Sequence, residues 1–175
     1  AKTTGTITLT QAGVATLTGA YSDLVTALGA FANLATRPVT VTGSVTAAQA
    51  ETLAGLTSGN LTATVLADSA AVINAALAVN AAGTDALSIT LTDDTAAATD
   101  ISGLNAKTSV NVNATSVSTV TGTVVQLSAA YAAGVAGLGD EAITVTGGAV
   151  SATNANTVAA LTTGTVTATV SQATI

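Results

Sequence analysis

Seven short segments of this 175-residue chain alternate strictly between an aliphatic residue and a small polar one. They occupy residues 7–10, 39–42, 61–64, 89–92, 110–113, 143–146 and 166–169. Alternation with a period of two predicts a β-strand that buries one face, and the β-branched residues in these segments favour strands. The polar position is Thr in every segment except 110–113, which carries Asn111 and Asn113. The sequence therefore predicts seven similar strands, each with one apolar face and one polar face.

The connections between these segments carry apolar residues three or four positions apart, which predicts short helices rich in Ala. The expected N-caps are Thr46, Ser69, Thr123 and either Asp93 or Asp94. Gly59 and Gly164 follow two of the helical stretches, where a left-handed backbone conformation would suit Gly. Residues 14–17 and 117–120 are candidates for a further brief strand in the longer connections.

The chain also repeats itself. Residues 39–43 and 143–147 match closely at a separation of 104 positions, and residues 56–65 match 161–170 at a separation of 105. Half of this spacing recurs as well, so we infer a basic unit of about fifty residues. The predicted organisation is a single array over residues 1–175, with approximate units 1–66, 67–114 and 115–175.

Strand–helix units that recur along a chain are typical of a solenoid, and a parallel crossover is right-handed in nearly all cases. We therefore predict an α/β repeat, a right-handed β/α solenoid. Its parallel sheet would have about seven short strands, and the Ala-rich helices would lie on the other side. A doubly wound α/β domain is the alternative, but its strands would be buried on both faces and would read as continuous apolar runs.

Composition excludes several classes of function. The chain has no His and no Cys, which rules out the usual zinc, haem and iron–sulfur sites and a Ser-His-Asp triad. Its only cations are Lys2, Arg37 and Lys107, and its net charge of −6 argues against nucleic acid or an anionic membrane as a partner. The apolar stretches are too short for membrane insertion, which takes roughly 20 residues. We predict that the protein is not an enzyme and has no cofactor.

If the strands stack in register, their polar residues form two files, and we take these files as the candidate interaction face. The first file is Thr8, Thr40, Thr62, Thr90, Asn111, Thr144 and Thr167, and the second is Thr10, Thr42, Thr64, Thr92, Asn113, Thr146 and Thr169. Thr is also the ordinary half-exposed residue of a strand, so a purely structural role explains the pattern too. The functional interpretations are a sheet-to-sheet contact in an assembly and an ice-binding plane, because the array resembles that of β-solenoid antifreeze proteins.

Two adjacent acidic pairs, Asp93–Asp94 and Asp140–Glu141, are candidates to contribute to a calcium site. Neither pair has the spacing of a calcium loop, and helix capping or solvated loop charge explains them more simply.

Residues 137–147, with the sequence GLGDEAITVTG, and residues 156–164, NTVAALTTG, resemble the tandem repeats of very large secreted surface proteins of cyanobacteria and other marine bacteria. The resemblance implies an extracellular or cell-surface role, S-layer-like or filament-forming, without catalysis. We therefore expect a structural repeat protein that self-associates, either head to tail through matching ends or side by side. The alternative is a binding module, an adhesin or an ice-binding surface, that uses the Thr-x-Thr face.

Overall fold

A computed structural model describes residues 16–79, 81–132 and 134–171. Strands and helices alternate along the chain. The strands are β1 (Leu17–Gly19), β2 (Val39–Val45), β3 (Leu61–Val65), β4 (Ala86–Ser88), β5 (Thr95–Ala97), β6 (Val112–Asn113), β7 (Thr119–Gly122), β8 (Val135–Ala136), β9 (Ala142–Val145) and β10 (Val166–Thr167). The helices are α1 (Tyr21–Ala30), α2 (Ala47–Leu56), α3 (Ala70–Ala76), α4 (Ala98–Asn105), α5 (Val124–Ala130) and α6 (Ala152–Ala159), and a short 3-10 turn spans Ala32–Leu34.

The strands pair in parallel throughout the described residues, which confirms an α/β fold with parallel sheets. They form a four-stranded sheet in the order β1-β2-β3-β4, a four-stranded sheet in the order β10-β9-β7-β5, and a two-stranded sheet of β6 and β8. The prediction of one sheet of about seven strands is wrong. In the middle of the chain two short strands precede each helix, so the strands are divided among three sheets.

Strand pairing sets a regular step along the chain. Leu17 pairs with Val39, and Val39 pairs with Leu61, which gives a step of 22 residues. Across the other pairs the step lies between 20 and 24 residues. We call each such segment a repeat. The unit of about fifty residues inferred from the sequence therefore spans two repeats.

Most described aliphatic residues of the alternating segments form the core, as predicted. Leu61 and Ile143 have no exposed surface, and Val39, Ile89 and Leu91 are 1% exposed, whereas Val110 is 40% exposed. The helices cover this side of the strands with residues such as Leu53 and Leu104, which are also fully buried. Each helix contacts the next one along the chain, from α1 to α6. The core is thus continuous from repeat to repeat.

Three of the predicted helix caps are confirmed. The hydroxyl groups of Thr46, Ser69 and Thr123 each accept a hydrogen bond from a backbone N–H in the first turn of α2, α3 and α5. Asp93 and Asp94 do not cap the helix that follows them, because the N-cap of α4 is Ala97. Asp93 Oδ2 instead accepts a bond of 2.6 Å from the backbone N–H of Ala70, at the start of α3 in the preceding repeat.

The predicted left-handed conformation of Gly59 and Gly164 is wrong, because neither residue is among the glycines with positive φ. Both positions need Gly for another reason. A Cβ atom at Gly59 would lie 2.3 Å from the carbonyl carbon of Arg37, and a Cβ at Gly164 would lie 2.3 Å from the carbonyl oxygen of Glu141. These glycines therefore allow the backbones of neighbouring repeats to approach closely.

Among the described residues, no helix combines the length and the hydropathy needed to span a bilayer. The longest helices, α1 and α2, have 10 residues each.

Candidate interaction surface

The polar residues of the alternating segments point away from the core. All twelve predicted interaction residues that lie within the described ranges are exposed or half-buried, and Thr8 and Thr10 lie outside those ranges. Along β3 the inward residues Leu61 and Val65 are at most 3% exposed, whereas Thr62 and Thr64 between them are exposed. Because side chains alternate across a strand, the outward face is set by the same pattern that fills the core.

The first predicted file of polar residues is only partly correct. Thr40 pairs with Thr62, and Thr144 pairs with Thr167, as predicted. Thr62 then pairs with Ala86 and not with Thr90. Thr90 pairs with Asn113 and not with Asn111, so Asn111 does not join this file. The cause is that β4 begins before the alternating segment 89–92, which shifts that segment along the sheet.

The second predicted file is broken by an irregularity in β2. Thr64 pairs with Ser44 instead of Thr42, because the register shifts between Thr40 and Ser44. Gly43 has a φ of 83° at this shift, which marks a bulge that lengthens β2 relative to β3. On the other side Thr64 pairs with Ser88, while Thr92 donates its backbone N–H to the carbonyl of Asp68.

The remaining members of the second file also lie elsewhere. Asn113 pairs with Thr90 and with Ala136. Thr146 donates its backbone N–H to the carbonyl of Gly122, and the carbonyl of Thr169 accepts the N–H of Val150. These residues border the sheets, but the structure does not align them in one file.

Several outward residues were not predicted. Thr18 extends the Thr40–Thr62 pair, and Thr121 extends the Thr144–Thr167 pair. Thr95 and Thr119 pair beside them on the outward face of the second sheet. The predicted extra strand at residues 117–120 is close to the observed β7. Its outward residues Thr119 and Thr121 flank a single inward aliphatic residue, Val120, so the segment is too short to show a repeated alternation.

The observed surface is thus two small lattices in place of one long array. Thr18, Thr40 and Thr62 form a row of three on the first sheet, and Thr121, Thr144 and Thr167 form a row of three on the second. Neighbours within a row lie on adjacent strands, about 4.8 Å apart. None of these six residues is ionisable, so the two rows are uncharged hydroxyl–methyl surfaces on a chain with a net charge of −6. The ice-binding and adhesin interpretations stay predictions.

The carboxylates serve mainly as hydrogen-bond acceptors that join neighbouring repeats. Asp85 is 5% exposed, and its two oxygens accept the backbone N–H groups of Leu61 at 2.8 Å and Ala82 at 3.0 Å. Glu141 is 4% exposed and accepts the hydroxyl of Tyr131 and the backbone N–H of Gly139. These two buried acids therefore fix the turns that lead into the strands β4 and β9. We call a turn of this kind, directly before a strand, a corner of the repeat.

Four other acids accept hydrogen bonds from a neighbouring repeat, as Asp85 does from Leu61. Glu51 accepts hydrogen bonds from the backbone N–H groups of Val79 and Ala81, and Asp93 accepts one from the backbone N–H of Ala70. Asp94 accepts a hydrogen bond from the hydroxyl of Ser118, and Asp100 accepts one from the side-chain amide of Asn74. No group of three or more acidic residues able to hold a metal ion occurs in the described part of the chain. Asp93, Asp94 and Glu141 of the two acidic pairs each accept hydrogen bonds from other groups of the protein.

Thr residues at the corners supply a further link between repeats. The hydroxyl groups of Thr57 and Thr162 donate to the carbonyls of Arg37 and Glu141. The hydroxyl of Thr108 lies 2.8 Å from the carbonyl oxygen of Leu87, its nearer acceptor, and 3.3 Å from that of Asp85. In each case the Thr hydroxyl oxygen also accepts a hydrogen bond from the backbone N–H two residues later. For example, the N–H of Gly59 donates to the hydroxyl of Thr57 at 3.0 Å. The abundance of Thr therefore has two structural causes, the outward strand positions and these corners.

Asp85→Asn is expected to lower the free energy of unfolding by about 2 kcal/mol, because the new amide group turns an N–H donor toward a buried backbone N–H. Urea denaturation followed by circular dichroism measures this change. Asp23→Asn is the matched control, since Asp23 is exposed in the first turn of α1, and its effect should be much smaller. Equal losses in the two variants would contradict the structural role of Asp85.

No family model, curated protein or solved structure matches this chain.

Proposed function

We propose that the protein is a non-enzymatic structural repeat protein of the cell surface, which builds an extracellular layer or filament by repeat stacking and subunit association. The observation that carries the proposal is the regular step of strand pairing. Residues 20 to 24 positions apart pair in parallel along the described chain, and each helix packs on the next. Such an array is stabilised by nearest-neighbour contacts, and the same contacts can extend it.

The finer architecture is part of the proposal. A right-handed β/α solenoid over residues 1–175 accounts for parallel strands with helices between them, because parallel crossovers are right-handed in nearly all cases. The links between repeats support it. Asp85, Thr108 and Gly59 each bridge or contact a residue at least 20 positions away, at one corner of neighbouring repeats.

The chemistry of the surface also supports a structural role. The outward rows of Thr are uncharged and regular, and the described acids that join repeats are engaged in internal hydrogen bonds. A surface of this kind suits contact with another extended protein surface more than recognition of a charged substrate. The sequence resemblance to bacterial surface repeats also supports a structural role, and it supports an extracellular location.

Self-association is the property that tests this proposal. Purified protein is expected to form filaments or layers as its concentration rises, because repeat surfaces are complementary to one another. Analytical ultracentrifugation over a hundredfold concentration range would measure the onset, and negative-stain microscopy would give the shape of the particles. A monodisperse monomer at every concentration would contradict the proposal.

A further inference from the structure

A cleft of about 320 Å³ lies between the start of α2 and α3, and we call it the α2–α3 cleft. Two of its lining residues, Ala47 and Ile73, belong to the buried core. Leu66 and Val72 also line it and are 51% and 52% exposed, and Asp68 adds one exposed carboxylate. Small-molecule sites are mostly apolar with a few polar groups and occupy roughly 300 to 1,000 Å³. The cleft therefore has the size and the lining of a site for a small ligand.

An insertion in the chain explains why the cleft lies at this place. Before α1, α2 and α5 the N-cap residue directly follows the preceding strand. Between β3 and Ser69, the N-cap of α3, residues 66–68 intervene. All of these inserted residues line the cleft. Other repeats pack on their neighbours without such an insertion, so the stacking of repeats does not by itself account for it.

Hydrogen bonds hold the insertion in place. The backbone N–H of Leu66 donates to the carbonyl of Val45 in the preceding repeat at 2.7 Å, and the carbonyl of Asp68 accepts the N–H of Thr92 in the following repeat at 3.1 Å. Oδ1 of Asp68 accepts the backbone N–H of Ser69 at 2.7 Å. Within the described ranges, Oδ2 of Asp68 accepts no hydrogen bond and the side chain forms no ion pair. One carboxylate oxygen at the cleft is thus available to a donor on a ligand.

We propose that the α2–α3 cleft binds small aliphatic amines, with the alkyl chain against the apolar walls and the ammonium group donating to Oδ2 of Asp68. The walls favour an alkyl chain because its apolar surface is removed from water. The carboxylate favours an ammonium group, because a hydrogen bond between two charged groups is stronger than one to a neutral hydroxyl group. The net charge of −6 also attracts cations and repels anions. This inference goes beyond the proposed function and does not depend on whether copies of the chain associate.

The test compares three ligands with the same alkyl chain, n-hexylamine, n-hexanol and hexanoate. Each is titrated at pH 7 into protein at a concentration at which the chain is monomeric, and the methyl NMR signals of Leu66, Val72 and Ile73 are followed. We expect hexylamine to shift these signals with a Kd on the order of 1 mM, as suits so small a ligand. Hexanol should bind about fivefold more weakly, because it lacks the ion pair. Hexanoate should bind more weakly still.

Two variants locate the site. Asp68→Asn keeps the shape of the cleft and removes its charge, so hexylamine and hexanol should bind equally well. Ala76→Leu enlarges a lining residue and should weaken the binding of hexylamine about tenfold, the effect of excluding roughly two methylene groups from apolar contact. Asp23→Asn removes an exposed carboxylate from α1 and is the matched control, which should keep the preference for hexylamine. Thermal unfolding measures whether each variant is folded, and Asp68→Asn tests the same site if Ala76→Leu is not.

Several results would overturn the inference. If hexylamine leaves the three methyl signals unchanged well above the expected Kd, the cleft binds no amine. Equal binding of the three ligands would show that the carboxylate does not select charge. A preference for hexylamine that survives Asp68→Asn, or unchanged binding in a folded Ala76→Leu variant, would place the amine elsewhere on the protein. The proposed function is tested separately, because it concerns assembly and none of these measurements requires it.

Discussion

Gly59→Ala is expected to lower the free energy of unfolding by about 3 kcal/mol, the upper part of the usual range for overpacking. The new Cβ would lie 2.3 Å from the carbonyl carbon of Arg37, 2.4 Å from its oxygen and 2.6 Å from the nitrogen of Pro38. These are backbone atoms at the start of β2, and they cannot rotate away as a side chain could. The two repeats would have to separate at this corner, which weakens the pairing of β2 with β3.

The same substitution elsewhere provides the control. Gly164→Ala should be comparably destabilising, because its Cβ would lie 2.3 Å from the carbonyl oxygen of Glu141. Gly29→Ala lies inside α1, where the added carbon would meet no heavy atom within 4 Å beyond its chain neighbours and the backbone of its own helix. Since Ala favours a helix interior over Gly, it should raise the free energy of unfolding by up to about 1 kcal/mol. Chemical denaturation of the three variants measures these changes, and a similar loss in all three would refute the close-approach explanation.

These glycines illustrate what the sequence could predict and what it could not. The sequence shows that Gly59 and Gly164 follow helical stretches, and this position predicts a left-handed backbone conformation at the end of a helix. The actual constraint is a contact between Gly59 and Arg37, which lie 22 positions apart. A contact of that range depends on which repeat stacks on which, and no local pattern contains this information. The links from Asp85 to Leu61 and from Asp93 to Ala70 were invisible for the same reason.

The faces of the strands were predictable because alternation is a local property. Whether Leu61 points inward and Thr62 outward follows from the period of two along the strand, and the structure agrees. The Thr46 and Thr123 caps were predictable for a similar reason, since each bonds a residue three positions away. These local features fix the class of the fold and the composition of its surface.

The register between strands is harder to predict from the sequence than the faces of the strands, because the register depends on the lengths of bulges and connections. The shift between Thr40 and Ser44 moves Thr42 out of line with Thr64. The start of β4 at Ala86 moves Thr90 out of line with Thr62. The bulge adds two residues to β2 between these pairs, and the partner of Thr62 is displaced by four residues. Both shifts are even, so each residue keeps its face while the predicted files of seven are divided into rows of three.

Leu61→Ala is expected to lower the free energy of unfolding by about 4 kcal/mol, within the range of fully buried Leu side chains. Leu61 has no exposed surface, and its strand β3 lies between β2 and β4 in the first sheet. The cavity would therefore affect the packing of two neighbouring repeats at once. Because each repeat is stabilised mainly by its neighbours, the loss should shift the unfolding of the whole array.

The adjacent residue is the matched control for this prediction. Thr62→Ala changes an exposed side chain one position away on the same strand, and its effect should stay within about 0.5 kcal/mol. Urea denaturation monitored by circular dichroism compares the two variants in one experiment. If Thr62→Ala is as destabilising as Leu61→Ala, the inward and outward faces are not divided as described, and the Thr rows cannot serve as a free interaction surface. If the difference is found, the outward rows can be altered without loss of the fold, which makes their role in assembly open to direct mutational analysis.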